Sequence, residues 1–172
     1  MRLFVAVNFS EEVKSRILEV QEQLRSKSSR GNFTRLENFH LTMAFLGETP
    51  EEKLAILLRI IEELGTAPFD VIFNRTGCFS RSRKELWWIG AARNCPGFPL
   101  LEALHAQLIG RLSYAGFSVE KRPFNPHITL GREIKHSGPI SLDCPEIVVK
   151  VDIINLMKSE NIQGVLTYSI IL

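Results

Sequence analysis

Two stretches of the chain share one alternation of apolar and polar positions. In His40-Leu41-Thr42-Met43-Ala44-Phe45-Leu46-Gly47 an extended strand would set His40, Thr42 and Ala44 on one side and Leu41, Met43 and Phe45 on the other. The apolar side reads as buried. The other presents an imidazole beside a hydroxyl, with only small Ala44 beyond them to leave room for a ligand. His127-Ile128-Thr129-Leu130-Gly131-Arg132 repeats the design, with His127, Thr129 and Gly131 together and Ile128 and Leu130 on the reverse. Two strands of one pattern predict two related halves facing one cleft.

The rest of the pattern supplies the frame for these strands. Leu3 to Phe9 is a short β-rich run, and Ser10-Glu11-Glu12 starts a helix whose apolar stripe is Val13, Ile17, Val20 and Leu24. A polar loop from Ser26 to Gly31 follows. Thr49-Pro50-Glu51-Glu52 predicts a capping box, with Pro50 at the first helical position, ahead of a stripe of Leu54, Leu57, Leu58, Ile61 and Leu64. Phe69 to Asn74 and Glu85 to Ala91 read as strands joined by a long basic connection from Arg75 to Lys84. Leu101, Leu104, Leu108 and Leu112 mark a third helix, and Gly116 to Glu120 reads as a short strand. The end predicts a hairpin of Glu146 to Leu156 and Val165 to Leu172 around a loop from Lys158 to Gly164. Three helices among roughly eight strands point to an α+β fold rather than a doubly wound parallel sheet.

Composition narrows the class. A chain of 172 residues, 45% hydrophobic and 23% charged, suits one compact bilobed domain spanning residues 1–172. The net charge of +2 is too small to argue for nucleic acid on its own, so any such argument must be local. Cys78, Cys95 and Cys144 are odd in number and widely spaced, which predicts free buried thiols rather than disulfides or a zinc site. No apolar run suggests a signal peptide or membrane span, so the expectation is a soluble cytoplasmic protein.

The chemistry follows from the paired histidines. An imidazole titrates near neutrality, so two facing one substrate can supply general base and general acid in a single step. If the reacting atom is phosphorus, in-line displacement requires them on opposite sides of it, as a pseudo-two-fold pair of strands would place them. Thr42 and Thr129 could each donate a hydrogen bond to a non-bridging oxygen. Strict alternation turns Arg132 away from His127, so it reaches the phosphate only if the strand ends or twists after Gly131. Arg81, Arg83 and Lys84 read equally as solvated loop charges or as contacts to an RNA backbone. Phe79, Trp87 and Trp88 read equally as packing residues or stacking platforms. His105 reads as a packing residue at the core's border and His136 as a solvated loop residue. No metal-binding spacing is present.

His40 to Gly47 and Phe124-Asn125-Pro126-His127-Ile128-Thr129-Leu130-Gly131-Arg132 resemble the paired signatures of the two-histidine (2H) phosphoesterases. More closely, the chain resembles the bacterial and archaeal 2′-5′ RNA ligase family, also called RNA 2′,3′-cyclic phosphodiesterases. Met43 and Gly131 stand where Leu and Ala are commoner and touch no catalytic group. The resemblance implies a bilobed α+β fold with one His-x-Thr motif from each lobe of a central cleft. It implies hydrolysis of an RNA 2′,3′-cyclic phosphate to a 2′-phosphate without metal or cofactor, and reversible 2′-5′ joining of RNA ends in vitro. By correspondence His40 would donate a proton to the leaving 3′ oxygen, His127 would activate water, and Thr42 and Thr129 would bind the phosphate. The expected partner is RNA bearing such an end, with no membrane and no obligatory protein partner. A small cyclic phosphate as substrate (a cyclic nucleotide or an ADP-ribose cyclic phosphate) and a module that binds RNA ends without turnover remain alternatives.

Overall fold

The computed structural model describes residues 1–82, 84–120 and 122–171. Its strands form two antiparallel sheets. The first has the order β3-β1-β8-β9, from β1 (Arg2–Asn8), β3 (His40–Glu48), β8 (Asn155–Ile162) and β9 (Val165–Ile170). The second has the order β2-β6-β5-β4-β7, from β2 (Arg30–Phe33), β4 (Phe69–Arg81), β5 (Lys84–Ala91), β6 (His127–Lys135) and β7 (Ile147–Val151). The expected α+β architecture of two pseudo-symmetric lobes is what is found.

Helices α1 (Glu11–Ser26), α2 (Leu54–Leu64) and α3 (Gly97–Tyr114) lie on the apolar backs of the sheets. Their stripes, including Ile17, Val20 and Leu24, Leu57 and Ile61, and Leu101, Leu104, Leu108 and Leu112, join the back faces of β1, β3, β5 and β6 in one buried cluster. Ser10 caps α1 by accepting the Val13 N–H at 3.3 Å. Thr49 caps nothing. Its amide donates to the Met1 carbonyl and its hydroxyl to the Gly47 carbonyl, so the expected capping box is absent and α2 begins after a 3-10 turn at Glu51–Lys53.

Other expectations need correcting. The basic connection is mostly strand: β4 continues to Arg81 because Phe79, Cys78 and Gly77 pair with Leu86, Trp87 and Trp88. The terminal hairpin is β8 with β9, turning at Gln163 and Gly164, while β7 belongs to the other sheet beside β4. Gly116 to Glu120 forms no strand, since Gly116 adopts φ +76° to close α3 and the Phe117 amide returns to the Leu112 carbonyl. Part of the expected polar loop is β2, which edges the second sheet along β6.

The two motif strands carry bulges at the same offsets. Against β1, β3 pairs Thr42 with Ala6 and Ala44 with Val5, leaving Met43 over; Leu46 is left over in the same way further on. Against β5, β6 pairs Thr129 with Trp88 and Gly131 with Trp87, leaving Leu130 over, and then Glu133. An extra residue reverses the alternation beyond it. Ala44 and Gly131 therefore turn into the core, and Phe45 and Arg132 turn to the side of the histidines. Ala44 does not leave the space expected of it: Phe45 stands there, 54% exposed.

The second bulge is bonded from outside its sheet. Leu130's carbonyl accepts the Thr34 amide at 2.9 Å and the Gln21 side-chain amide at 2.7 Å. Gln21 Nε2 also donates to the Thr34 carbonyl at 2.7 Å, and the residue is only 1% exposed. A buried polar side chain on α1 thus satisfies backbone that the bulge strands.

Candidate active site

Each motif strand begins where a loop hands over a carbonyl. The Nδ1–H of His40 donates to the Asn38 carbonyl, and that of His127 to the Asn125 carbonyl, each at 2.7 Å and each two residues upstream. With Nδ1 committed as donor, neutral His offers Nε2 as the acceptor, and the same nitrogen of both rings is left for chemistry. The Thr42 hydroxyl donates to His40 Nε2 at 2.9 Å. Asn38 is itself fixed, its side-chain amide donating to the Leu166 carbonyl of β9.

Aromatic rings flank each imidazole. Phe4 and Tyr168 lie 5.0 and 5.2 Å from the His40 ring, and 4.9 Å from each other. Phe79 and Trp88 lie 5.3 and 6.4 Å from the His127 ring, and 5.2 Å apart. Burial among these rings pushes both imidazoles below their ordinary value, since it disfavours the cation. The Asn38 and Asn125 carbonyls oppose that, and the Arg132 guanidinium adds to it at both rings. Each site thus favours the neutral form of its histidine.

Arg132 joins the two halves. Its positive charge acts on His40, on His127 and on the Tyr168 hydroxyl, so it faces the cleft between the lobes. Strict alternation had turned it away, and the bulge at Leu130 brings it back. The cleft therefore gathers two imidazoles, a hydroxyl beside each, and one guanidinium whose field reaches both.

The remaining predicted residues divide. Thr42 and Thr129 share the faces of their histidines. Arg81 shares the face of Phe79 at the exposed end of the β4–β5 hairpin, Lys84 pairs with Glu133 at 2.5 Å, and Arg83 lies outside the described residues. Trp87 is core and Trp88 is cleft. His105 stacks on Phe124 at 3.8 Å, in keeping with packing at the border. His136 is not simply solvated: its Nε2 meets Glu85 Oε2 at 2.9 Å, on a carboxylate that also accepts the Trp87 indole N–H. The thiols are free, but only Cys95 is buried, Cys78 being exposed and Cys144 half-buried.

A model of the family described as LigT like Phosphoesterase matches residues 7–88. The RNA 2′,3′-cyclic phosphodiesterase of Thermotoga maritima is 33% identical over 163 residues, covering 88% of this chain and 83% of that protein. The chain belongs to the LigT-like phosphoesterase family. A second such phosphodiesterase, from Methanocaldococcus jannaschii, is 35% identical over 133 residues, covering 77% of this chain and 71% of that protein. The crystal structure of E. coli LigT complexed with 3′-AMP superposes with a TM-score of 0.83 at 28% identity, over 99% of this chain and 95% of that one.

For this LigT-like chain, sequence reasoning passed over Phe4, Tyr168 and Arg75. Phe4 had a legible signal, since it alternates with buried Leu3 and Val5 and so must lie on the opposite face. Tyr168 reaches His40 only through the pairing of β9 with β8 and β8 with β1, which no local pattern reveals. Among the described residues no group of His, Cys, Asp and Glu is placed to hold a metal, and no helix is long and apolar enough to cross a membrane.

Proposed function

We propose that this chain hydrolyses RNA 2′,3′-cyclic phosphate ends to 2′-phosphomonoesters by two-histidine acid-base catalysis that needs no metal, with reversible 2′-5′ RNA ligation in vitro. The observation that carries the reading is the matched pair of imidazoles. Each is tied at Nδ1 to the carbonyl two residues upstream, and both lie in the field of Arg132. Binding alone would not require two titratable groups across a phosphate. The relatives named for RNA 2′,3′-cyclic phosphodiesterase activity support the substrate class.

In the hydrolytic step neutral His127 Nε2 takes a proton from water as its oxygen attacks phosphorus. The bond from phosphorus to the 3′ oxygen breaks, and protonated His40 Nε2 supplies the proton to that oxygen. The 2′ oxygen keeps the phosphate. Thr42, Thr129 and Arg132 bind the non-bridging oxygens, where negative charge collects in the transition state. In ligation the 5′ hydroxyl of a second RNA replaces water, the same bond breaks, and a 2′-5′ phosphodiester results. In the reverse reaction the two histidines exchange roles.

The test uses an oligonucleotide ending in a 2′,3′-cyclic phosphate, incubated with the protein and a chelator. The expected product is a 2′-phosphate, absent with His40→Ala and with His127→Ala. Turnover of mononucleoside cyclic phosphates alone would transfer the activity to small substrates. Binding of the oligonucleotide without turnover would leave an RNA-end-binding module.

A further inference from the structure

The two lobes differ most beside their histidines. On β1, Asn8 stands opposite His40 and its amide donates to Asn155 at 3.0 Å. On β5 the equivalent place, opposite His127, is Gly90, and Gly90 in turn stands opposite Arg75 of β4. Arg75, Gly90 and His127 thus form one row on the cleft face, and Gly77, Trp88 and Thr129 form the next.

Two glycines clear the ground for the Trp88 ring. A Cβ on Gly77 would lie 2.5 and 2.6 Å from Cζ2 and Cη2 of Trp88, and one on Gly90 would lie 2.7 Å from Cζ3. The indole therefore lies flat across the backbone of both strands, at positions where any side chain would lift it. Phe79, 40% exposed, stands beside it. Trp88 Nε1 is buried with no hydrogen-bond partner among the described residues, so packing alone sets the ring. Arg75 reaches over Gly90, with one terminal nitrogen 3.3 Å from where a Cβ would be. Its Nε–H donates to the Ala91 carbonyl at 2.9 Å, which fixes the guanidinium at the His127 end of the sheet. No carboxylate among the described residues forms an ion pair with it.

A ribose held by its 2′ and 3′ oxygens between the histidines has two further substituents, the base and the 5′ oxygen. A flat aromatic surface with a fixed cation at its rim matches both. We propose that Trp88, Phe79 and Arg75 form a subsite for the terminal nucleotide, the rings taking its base and Arg75 the phosphate on its 5′ oxygen. The subsite rests on the reading of the catalytic centre given above and deepens it. It makes the enzyme prefer an end that continues as RNA over a bare nucleoside cyclic phosphate. Because the rings offer no hydrogen-bonding edge, base identity matters little.

The test compares kcat/KM for adenosine 2′,3′-cyclic phosphate with and without a 5′ phosphate. The wild type is expected to favour the 5′-phosphorylated substrate. Arg75→Met should lower that preference at least about tenfold, the scale of a lost charge-assisted hydrogen bond, and Arg75→Lys should restore part of it. Melting temperatures of both variants identify any loss of fold. An unchanged preference in folded Arg75→Met overturns the proposal. If the wild type cleaves neither compound, the reading of the catalytic centre fails, and the subsite is judged by tryptophan fluorescence with 5′-AMP and adenosine as probes. Tighter binding of 5′-AMP that is lost in Arg75→Met, with a signal absent in Trp88→Phe, supports it. Equal binding of the two probes by the wild type overturns it.

Discussion

Phe45 and Arg132 occupy equivalent places in the two lobes, each the fifth residue after its motif histidine and each turned to the cleft by a bulge two residues earlier. The pseudo-symmetry is thus broken chemically at this position. Both imidazoles feel the cation of the second lobe, whereas the first lobe sets a ring at this place, Phe45, whose centroid lies 6.3 Å from that of Phe4. Arg132→Met is expected to lower kcat by about 10²–10³, the usual loss when one preorganised donor to a developing oxyanion is removed. Phe45→Ala should cost far less, since it removes only an exposed ring. Steady-state kinetics of both variants on one cyclic phosphate provide the check, and equal losses would contradict the assignment.

The same cation sets a pH dependence. Burial first, and then Arg132, hold His40 and His127 below the ordinary imidazole value of about 6.5. The proposed catalysis needs one imidazole protonated and the other neutral, so kcat/KM should fall with rising pH once the pair has lost both protons. In the free enzyme that decline begins below about pH 6.5 and becomes tenfold per pH unit. Arg132→Met should move the alkaline limb upward, toward the ordinary value. A profile that stays flat from pH 5 to 9 in rate assays would rule out acid-base work by this pair.

Gln21 offers a test of how the second motif is held. It is buried on α1 and donates to the Thr34 and Leu130 carbonyls, the second of which also accepts the Thr34 amide. Gln21→Leu keeps the volume and removes both donations. The Leu130 carbonyl keeps the Thr34 amide, and the Thr34 carbonyl loses the Gln21 donor at a cost of about 1–3 kcal/mol, so the denaturant midpoint should fall. Turnover should fall as well, because the bulge that orients Arg132 loses a support. A variant as stable as the wild type would show that water replaces the amide.

The residues proposed to perform the chemistry are legible because a period of two is the strongest signal a strand gives. His40 with Thr42, and His127 with Thr129, precede the bulges, where strict alternation still holds. Beyond Met43 and Leu130 it misleads. Ala44 and Gly131 carry no polar group whose burial would betray a reversal, so strict alternation puts Phe45 on the wrong face and leaves Arg132 conditional on a departure from it. The long β4 was hidden by Gly77 and by charges that resemble a loop, although Phe79 and Arg75 alternate correctly with Cys78 and Thr76. Tyr168 and Arg75 depend on which strands become neighbours, and that is settled by packing across the whole chain.

His136 and Glu85 supply a prediction about stability with a defined sign. The hydrogen bond from His136 Nε2 to Glu85 Oε2 raises the imidazole above its ordinary value and, together with the Trp87 N–H, lowers the carboxyl below its own. The imidazole's share is therefore complete below about pH 6.5 and is lost as pH rises through the raised value. The carboxylate's share is complete above its ordinary value and is lost as pH falls through the lowered one. The pair thus stabilises the fold most in the mildly acidic range between these limits. Screening at the surface keeps the contribution under about 1 kcal/mol. Wild type and His136→Gln, unfolded in urea at pH 5.5 and again at pH 8.5, should differ more at the lower pH. A gap that is constant, or that widens with pH, would mean that the imidazole is not charged where it meets Glu85.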